Sequence, residues 1–161
     1  MFTIGTMFKI REAQPDDIAN ITNLWSDFMV YNAEFNDSFE TNKTSKTIFS
    51  NEMREKINDS NSRLSVAEID KELIGFCFSY ISLKPKFFSL SKFGFIGDLY
   101  VMKEHRRKKI GHALVDDALR FFNRKSINQI ELLVAIKNVG TIKFWESLGF
   151  DHLLTWMYKR D

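Results

Sequence analysis

Four cations stand in a row at Arg106, Arg107, Lys108 and Lys109, followed at once by Ile110, Gly111 and His112. The residues beyond, Ile110, Ala113, Leu114, Ala118 and Phe121, recur at helical spacing, so a helix begins where the basic run ends. From Glu104 to His112 there is no Ser, Thr, Asp or Asn to cap that helix. Its free N–H groups and the positive end of its dipole therefore meet charge of the same sign, a costly arrangement in isolation. A bound anion would remove both faults, because backbone donors and basic side chains would point at one negative group. Phosphate is the natural candidate. The alternative is a solvated basic patch with water on the amides, and these residues alone leave both readings open. Gly111 gives room for close approach at the first turn. The run is neither a Walker loop nor a dinucleotide fingerprint, since the other glycines of both are missing.

Other reactive side chains are scattered. His105, His112 and His152 make no metal-binding pattern, and no metal is expected. Cys77, the single cysteine, lies in the apolar run Leu73 to Phe78 and reads as a buried thiol. Asn138 precedes a helical stretch and reads first as its cap, with Phe144, Trp145 and Leu148 as that helix's buried face. Asp98 and Tyr100 fall on one side of a strand by period two.

The elements that must position these groups follow from periodicity. Phe8 to Arg11 is a short strand. Pro15-Asp16-Asp17 opens a helix with Ile18, Ile21, Leu24, Trp25 and Phe28 on one face, fraying near Tyr31-Asn32. A polar link spanning 34–40 leads to a second helix with Ile48, Phe49, Met53 and Ile57. Then the period changes. Arg63 to Ile69 and Leu73 to Leu83 form a hairpin through Asp70-Lys71. The stretch 87–92 carries no clear pattern. Residues 93–101 form the strand that runs into the basic turn, and Gln129 to Ala135 a second inner strand. A helix over Val139 to Leu148 is stopped by Gly149, and an apolar final strand runs from Phe150 to Tyr158. The class is α/β (α+β), one domain over 8–159, with 1–7 a short extension.

A chain of 161 residues with 44% apolar and 27% charged residues is an ordinary globular composition. Sixteen Phe with three Trp and four Tyr imply an aromatic core or an aromatic-lined cleft. A formal charge of +2 is too small to argue for nucleic acid. With no secretory leader and no membrane-length apolar run, a soluble cytoplasmic protein is expected, without nucleic-acid or membrane partners.

The run from Asp98 to Val101 continuing through Arg106-Arg107-Lys108-Lys109-Ile110-Gly111-His112-Ala113-Leu114 resembles the acyl-coenzyme-A signature of the GNAT superfamily of N-acetyltransferases, Arg/Gln-x-x-Gly-x-Gly/Ala. Asn138-Val139-Gly140 through Phe144-Trp145-Glu146-Ser147-Leu148-Gly149-Phe150 resembles its second motif. The opening from Phe8 to Asp17 and the hairpin from Ala67 to Phe76 fit the same pattern, so the likeness covers 8–159, in a style closest to polyamine and small-amine acetyltransferases.

The resemblance implies a mixed sheet whose middle strands, 93–101 and 129–135, splay to admit the pantetheine arm of acetyl-CoA. Leu99, Tyr100 and Val101 would bond that arm through their backbone. Arg106, Arg107, Lys108, Lys109, Ile110, Gly111 and His112 would hold the pyrophosphate, and Asn138, Phe144 and Trp145 would complete the cofactor side. Asp98 becomes the candidate base, with Tyr100 beside it and Tyr158 a further proton donor. Phe28, Tyr31 and Glu34 would bind the acceptor, in a cleft made aromatic and acidic by the early helices and suited to a small cationic amine.

Three departures qualify this. Lys109 occupies the first motif glycine and is expected in ordinary first-turn geometry. Trp145 stands where relatives place a proton-donating Tyr. Gly97 precedes Asp98 where the polyamine branch has Glu. Direct acetyl transfer to a primary amine is the expected activity. A non-catalytic acyl-CoA-binding module, or an acetyltransferase of protein lysines or N-termini, is the alternative. A homodimer through the C-terminal edge strand is a possible assembly.

Overall fold

The computed structural model describes residues 7–159, so the extension expected over 1–7 lies outside the described residues except for Met7. Strands add to the sheet in chain order: β1 (Lys9–Glu12), β2 (Ser62–Ile69), β3 (Glu72–Leu83), β4 (Lys92–Val101) and β5 (Ile130–Leu132). The first four are antiparallel neighbours and β5 joins parallel to β4. β2 and β3 connect through Asp70 and Lys71, both with positive φ (48° and 71°), the backbone that a two-residue hairpin favours.

Four helices cover the two faces: α1 (Ile18–Ala33), α2 (Ser45–Lys56), α3 (Ile110–Arg124) and α4 (Val139–Ser147). Alternation along the strands separates two cores. Val66 and Phe76 bury with Ile18, Ile21 and Leu24 of α1 and Phe49 and Met53 of α2. Ala67 and Cys77 bury on the other side with Leu114, Val115, Ala118 and Phe122 of α3 and with Trp145 of α4. Gly94 lets α3 settle on β4, since a Cβ there would lie 2.6 Å from the Phe122 ring.

Ion pairs fix the frame. Arg11 bonds Asp17 at 2.6 Å and Glu68 at 2.8 Å, tying β1 to the start of α1 and to β2. Arg63 on β2 reaches Asp117 on α3 at 2.8 Å, and the Ser65 hydroxyl donates to the same carboxylate. Burial opposes that charge, but the Arg63 and Ser65 hydrogen bonds win and hold the Asp117 carboxyl below its ordinary range.

The functional feature is where β4 and β5 part. They pair only from Gly94–Ile130 to Ile96–Leu132. At Gly97 the strand bulges: Phe78 faces Asp98 and Ser79 faces Ile96, so Gly97 is the extra residue. Beyond it, Asp98 to Val101 continue along β3 while β5 has ended. One side of the β4 backbone is left facing a gap, as the expected splay requires.

Several expectations change. The inner strand expected over 129–135 shortens to Ile130–Leu132. The final strand expected over 150–158 does not form among the described residues, and Leu153, Leu154, Trp156 and Met157 are exposed. β5 pairs through three residues only and gives such a strand little ladder to extend. The edge proposed for a homodimer is therefore absent as a strand. Tyr158 is 72% exposed, off the cavity described below, and so is not a proton donor there. Ile48 turns outward from α2. The stretch 87–92 is a loop tip with Phe87 exposed, until Lys92 opens β4. Gly149 stops α4 as expected: its φ is +84°, and its N–H and that of Phe150 return to carbonyls of Glu146 and Trp145. Among the described residues no helix is long and apolar enough to cross a membrane.

Candidate active site

A cavity of about 1030 Å³ runs through the β4–β5 gap. On one side it is bounded by the turn before α3, the start of α3 and the first turns of α4. On the other it is bounded by α1, α2 and β3. Asp98, Leu99, Tyr100 and Val101 line it where the two halves meet.

The first half is built on the uncapped start of α3. α3 begins at Lys109 with no side-chain cap, as the sequence requires. Arg107 and Lys109 both adopt left-handed backbone, φ 64° and 63°. Lys109 is thus not in the ordinary first-turn geometry expected of it. Successive amides in such alternating conformations form a concave nest for an anion. Gly111 follows on the first turn, where a Cβ would come within 3.4 Å of the Phe144 ring. His112 meets that ring edge-on at 5.2 Å. Asn138 is 3% exposed and accepts from the Thr141 N–H at 3.2 Å, so it caps α4 while lining the cavity. Trp145 is buried beside it and has Phe144 and Phe150 against its ring at 5.1 Å and 5.2 Å.

Arg106 goes elsewhere. Its Nε donates to the Val101 carbonyl at 2.9 Å, and its guanidinium lies 4.8 Å from the Tyr31 ring centre and 5.5 Å from that of Tyr100. The motif's first cation therefore joins α1 to β4 by cation–π contact. The basic side chains left on the turn before α3 within the cavity lining are Arg107 and Lys109. Lys108 does not line the cavity and is exposed.

The second half is aromatic and acidic. Trp25 stacks on Phe49 at 4.4 Å with planes 10° apart, and Phe49 meets Phe76 at 6.5 Å. Phe28 and Tyr31 line this half, with Phe28 6.1 Å from Tyr100. Glu34 does not line it, because it follows the last turn of α1 and points to solvent. Glu52 does line it, from α2. Burial pushes the Asp98 carboxyl up to about 7, and the negative charge of Glu52 adds to that rise. Burial likewise raises the Tyr80 hydroxyl, with Asp98 and Glu52 contributing. A carboxyl poised near neutrality at the junction can take a proton from an ammonium group and pass it on.

Sequence reasoning missed Glu52, His105, Thr141 and Lys143, all on the cavity wall. Glu52 lies three residues after Phe49 and next to Met53, so helical spacing from the apolar face could have found it. His105 has a buried Nδ1 with no hydrogen-bond partner among the described residues, and no sequence signal pointed to it. Among the described residues no group of three or more His, Cys, Asp or Glu could hold a metal.

The sheet that opens beside a bulged β4, with an uncapped helix at the mouth of the opening, is the architecture of an acyl-CoA-binding α/β protein. The family model of the GNAT acetyltransferases matches residues 21–150, and the chain belongs to that family. It is 32% identical over 56 residues to an uncharacterised N-acetyltransferase, MJ1207, of Methanocaldococcus jannaschii. That match spans 35% of this chain and only a quarter of that relative's length. The fold is similar to a predicted acetyltransferase of Clostridium acetobutylicum solved with acetyl-CoA, with TM-score 0.80, 16% identity and 96% of each chain covered. It is also similar to the aminoglycoside N-acetyltransferase AAC(6')-Iy in complex with CoA, with TM-score 0.78, 15% identity, and 100% and 99% of the two chains covered.

The residues present fit coenzyme A. The nest at Arg107–Lys109 suits a pyrophosphate, the unpaired side of β4 from Asp98 to Val101 suits an amide-bearing arm, and the missing Cβ of Gly111 leaves space beside Phe144.

Proposed function

We propose that the protein transfers an acetyl group from acetyl-CoA to a small cationic primary amine, by direct attack in a ternary complex. What carries the reading is that one cavity joins an anion cradle to an aromatic, acidic cleft, with Asp98 at the join. When bound, acetyl-CoA supplies an activated acetyl thioester. Arg107, Lys109 and the first amides of α3 hold its pyrophosphate, and the β4 backbone from Leu99 to Val101 holds the arm. Ile110, His112, Asn138, Phe144 and Trp145 wall that side.

Asp98 takes one proton from the incoming ammonium, which frees the nitrogen lone pair. The nitrogen bonds to the acetyl carbon, the carbon–sulfur bond breaks with its electron pair on sulfur, and a second nitrogen proton goes to the thiolate. An ammonium and a thioester thus yield an amide, a thiol and one released proton. Positioning within the cavity supplies most of the acceleration, since no covalent enzyme intermediate is needed.

Trp145 favours a second reading, a module that binds acyl-CoA without turning it over. An indole N–H donates a hydrogen bond but is no practical acid. Thiol release with acetyl-CoA and a panel of amines separates the two, alongside calorimetric titration with CoA. Binding with amine-dependent thiol release supports transfer, and binding without it supports the module. No binding at millimolar CoA would sink both.

A further inference from the structure

We infer that the acceptor is a primary monoamine on a flat apolar body, of the arylalkylamine class, with its ammonium held between Glu52 and Asp98 and its ring against the Trp25–Phe49 wall. This deepens the acetyl-transfer reading and rests on it.

The first observation is an unbalanced charge. Glu52 and Asp98 line the same cavity and the charge of Glu52 bears on Asp98, yet among the described residues neither has a cationic partner. Arg106, a cation on the wall of this half, is committed to the Val101 carbonyl and two tyrosine rings. Two carboxylates lining one cavity repel, Asp98 at the join and Glu52 from the exposed side of α2, and a cationic guest relieves that repulsion. Among the described residues they are the only acids on the cavity wall, so charge complementarity asks for one ammonium rather than several spaced along a chain.

The second observation is the wall. Around this acidic pair stand Trp25, Phe28, Met29, Phe39, Phe49 and Phe78. Trp25 is half-buried and stacked on the buried Phe49, which is braced in turn against Phe76, so the Trp25 ring on the wall is held in place before a ligand arrives. Apart from the two acids, the polar side chains in this half are Asn32, the hydroxyls of Tyr31 and Tyr100, and the Arg106 guanidinium laid against those two rings. A polyhydroxylated amine would bury many groups without partners and pay for each one. An aryl ring buries apolar area on rings and adds face contact, while its ammonium gains carboxylate and cation–π attraction. Aminoglycosides, which the names of several structural neighbours specify, are polycationic polyols and match this wall poorly.

The test compares 2-phenylethylamine, ethylamine, spermidine and kanamycin as acceptors with the full-length protein and acetyl-CoA. The expected kcat/KM for 2-phenylethylamine exceeds that of each other amine by at least about 100-fold. Glu52→Gln should raise KM for 2-phenylethylamine at least tenfold while the calorimetric Kd for CoA stays unchanged. Trp25→Leu, which keeps an apolar side chain in the wall, should weaken 2-phenylethylamine several-fold more than ethylamine. Higher kcat/KM for spermidine or kanamycin, or a Glu52→Gln protein with unaltered KM, would overturn the inference while leaving acetyl transfer standing. Absence of CoA binding would instead overturn the reading beneath it. Should CoA bind without turnover, calorimetry of the CoA complex decides: saturable binding of 2-phenylethylamine, weakened by Glu52→Gln, supports the site, and no binding removes it.

Discussion

The two halves of the cavity are made of different material. At the cofactor end the groups that would meet the ligand are largely main chain: the amides of the turn from Arg107 to Gly111 and the open side of β4. At the acceptor end they are side chains, brought from α1, α2, β3 and β4. A site made of backbone depends on conformation, and tolerates side-chain changes that respect it. A site made of side chains depends on identity, and one substitution can redirect it. The first kind suits a ligand common to a family, and the second suits the ligand that distinguishes its members.

The largest expected effect lies at the acceptor side of the join. Asp98→Asn keeps the shape of the side chain but cannot accept the proton, so kcat/KM with a cationic amine should fall by about 100-fold. CoA affinity should hold. The wild-type profile should rise with pH through an acidic limb near 7, where the Asp98 carboxyl titrates, and the variant should lose that limb. Stability should move the other way. Because the folded carboxyl binds its proton up to about 7 and the unfolded one only to its ordinary value near 3.8, the native state holds more protons between those limits. Wild-type stability therefore drops as pH rises through that window. Asp98→Asn should be more stable relative to wild type at pH 8 than at pH 4. A fully active variant with an unchanged profile would take Asp98 out of the chemistry.

Next comes the cofactor end. Reversing both charges, Arg107→Glu with Lys109→Glu, should weaken CoA at least tenfold, about 1.4 kcal/mol. The stabilisation of the fold by saturating CoA should shrink accordingly, by mass action. The ligand-free melting temperature should change little, because both side chains are exposed or half-buried on a turn. Equal CoA affinity in this variant would show that the pyrophosphate lies elsewhere.

Trp145→Tyr probes the join from the cofactor side and should do less. If Asp98 and water manage the protons, the rate should change by less than about tenfold, under roughly 1.4 kcal/mol of barrier. A gain well beyond tenfold would mean that the position wants an acid, and that the wild type works without one.

The same contrast explains what the sequence disclosed. The turn from Arg106 to Gly111 is contiguous, so an uncapped helix behind four cations, readable as an anion site or a solvated basic patch, is visible without tertiary information. The hairpin through Asp70-Lys71, the face of α1 and the stop at Gly149 were equally legible, because each is decided by local spacing or local backbone. Glu52 and Asp98 are 46 positions apart and line one cavity only because α2 packs on α1 and reaches Phe76 of β3 through Phe49. Nothing in either neighbourhood marks the pairing. Arg106 shows a different limit: its place in the motif was readable, but its direction was settled by Tyr31, a residue on α1. The final strand failed because an apolar run becomes a strand only where a partner edge exists, and β5 is too short to supply one.

The smallest effect tests backbone against charge within one residue. Lys109 has φ 63°, where an L side chain is disfavoured by about 1 kcal/mol or somewhat more. Glycine relieves that strain but raises the entropy of the unfolded chain by roughly 0.5–1 kcal/mol. Lys109→Gly should therefore leave stability unchanged or raise it by up to about 1 kcal/mol in denaturant melts. An ordinary first-turn residue would instead lose about 1 kcal/mol on the same change. Lys109→Ala keeps the strain and removes the charge. Both variants should bind CoA several-fold more weakly than wild type, because both lose the cation beside the nest. Lys109→Gly should bind at least as well as Lys109→Ala, because its turn reaches the left-handed geometry without strain. A glycine variant clearly less stable than the alanine one would show that the turn is not left-handed at Lys109 in solution. The cofactor end would then owe its grip to side chains after all, and the contrast between the two halves would fall.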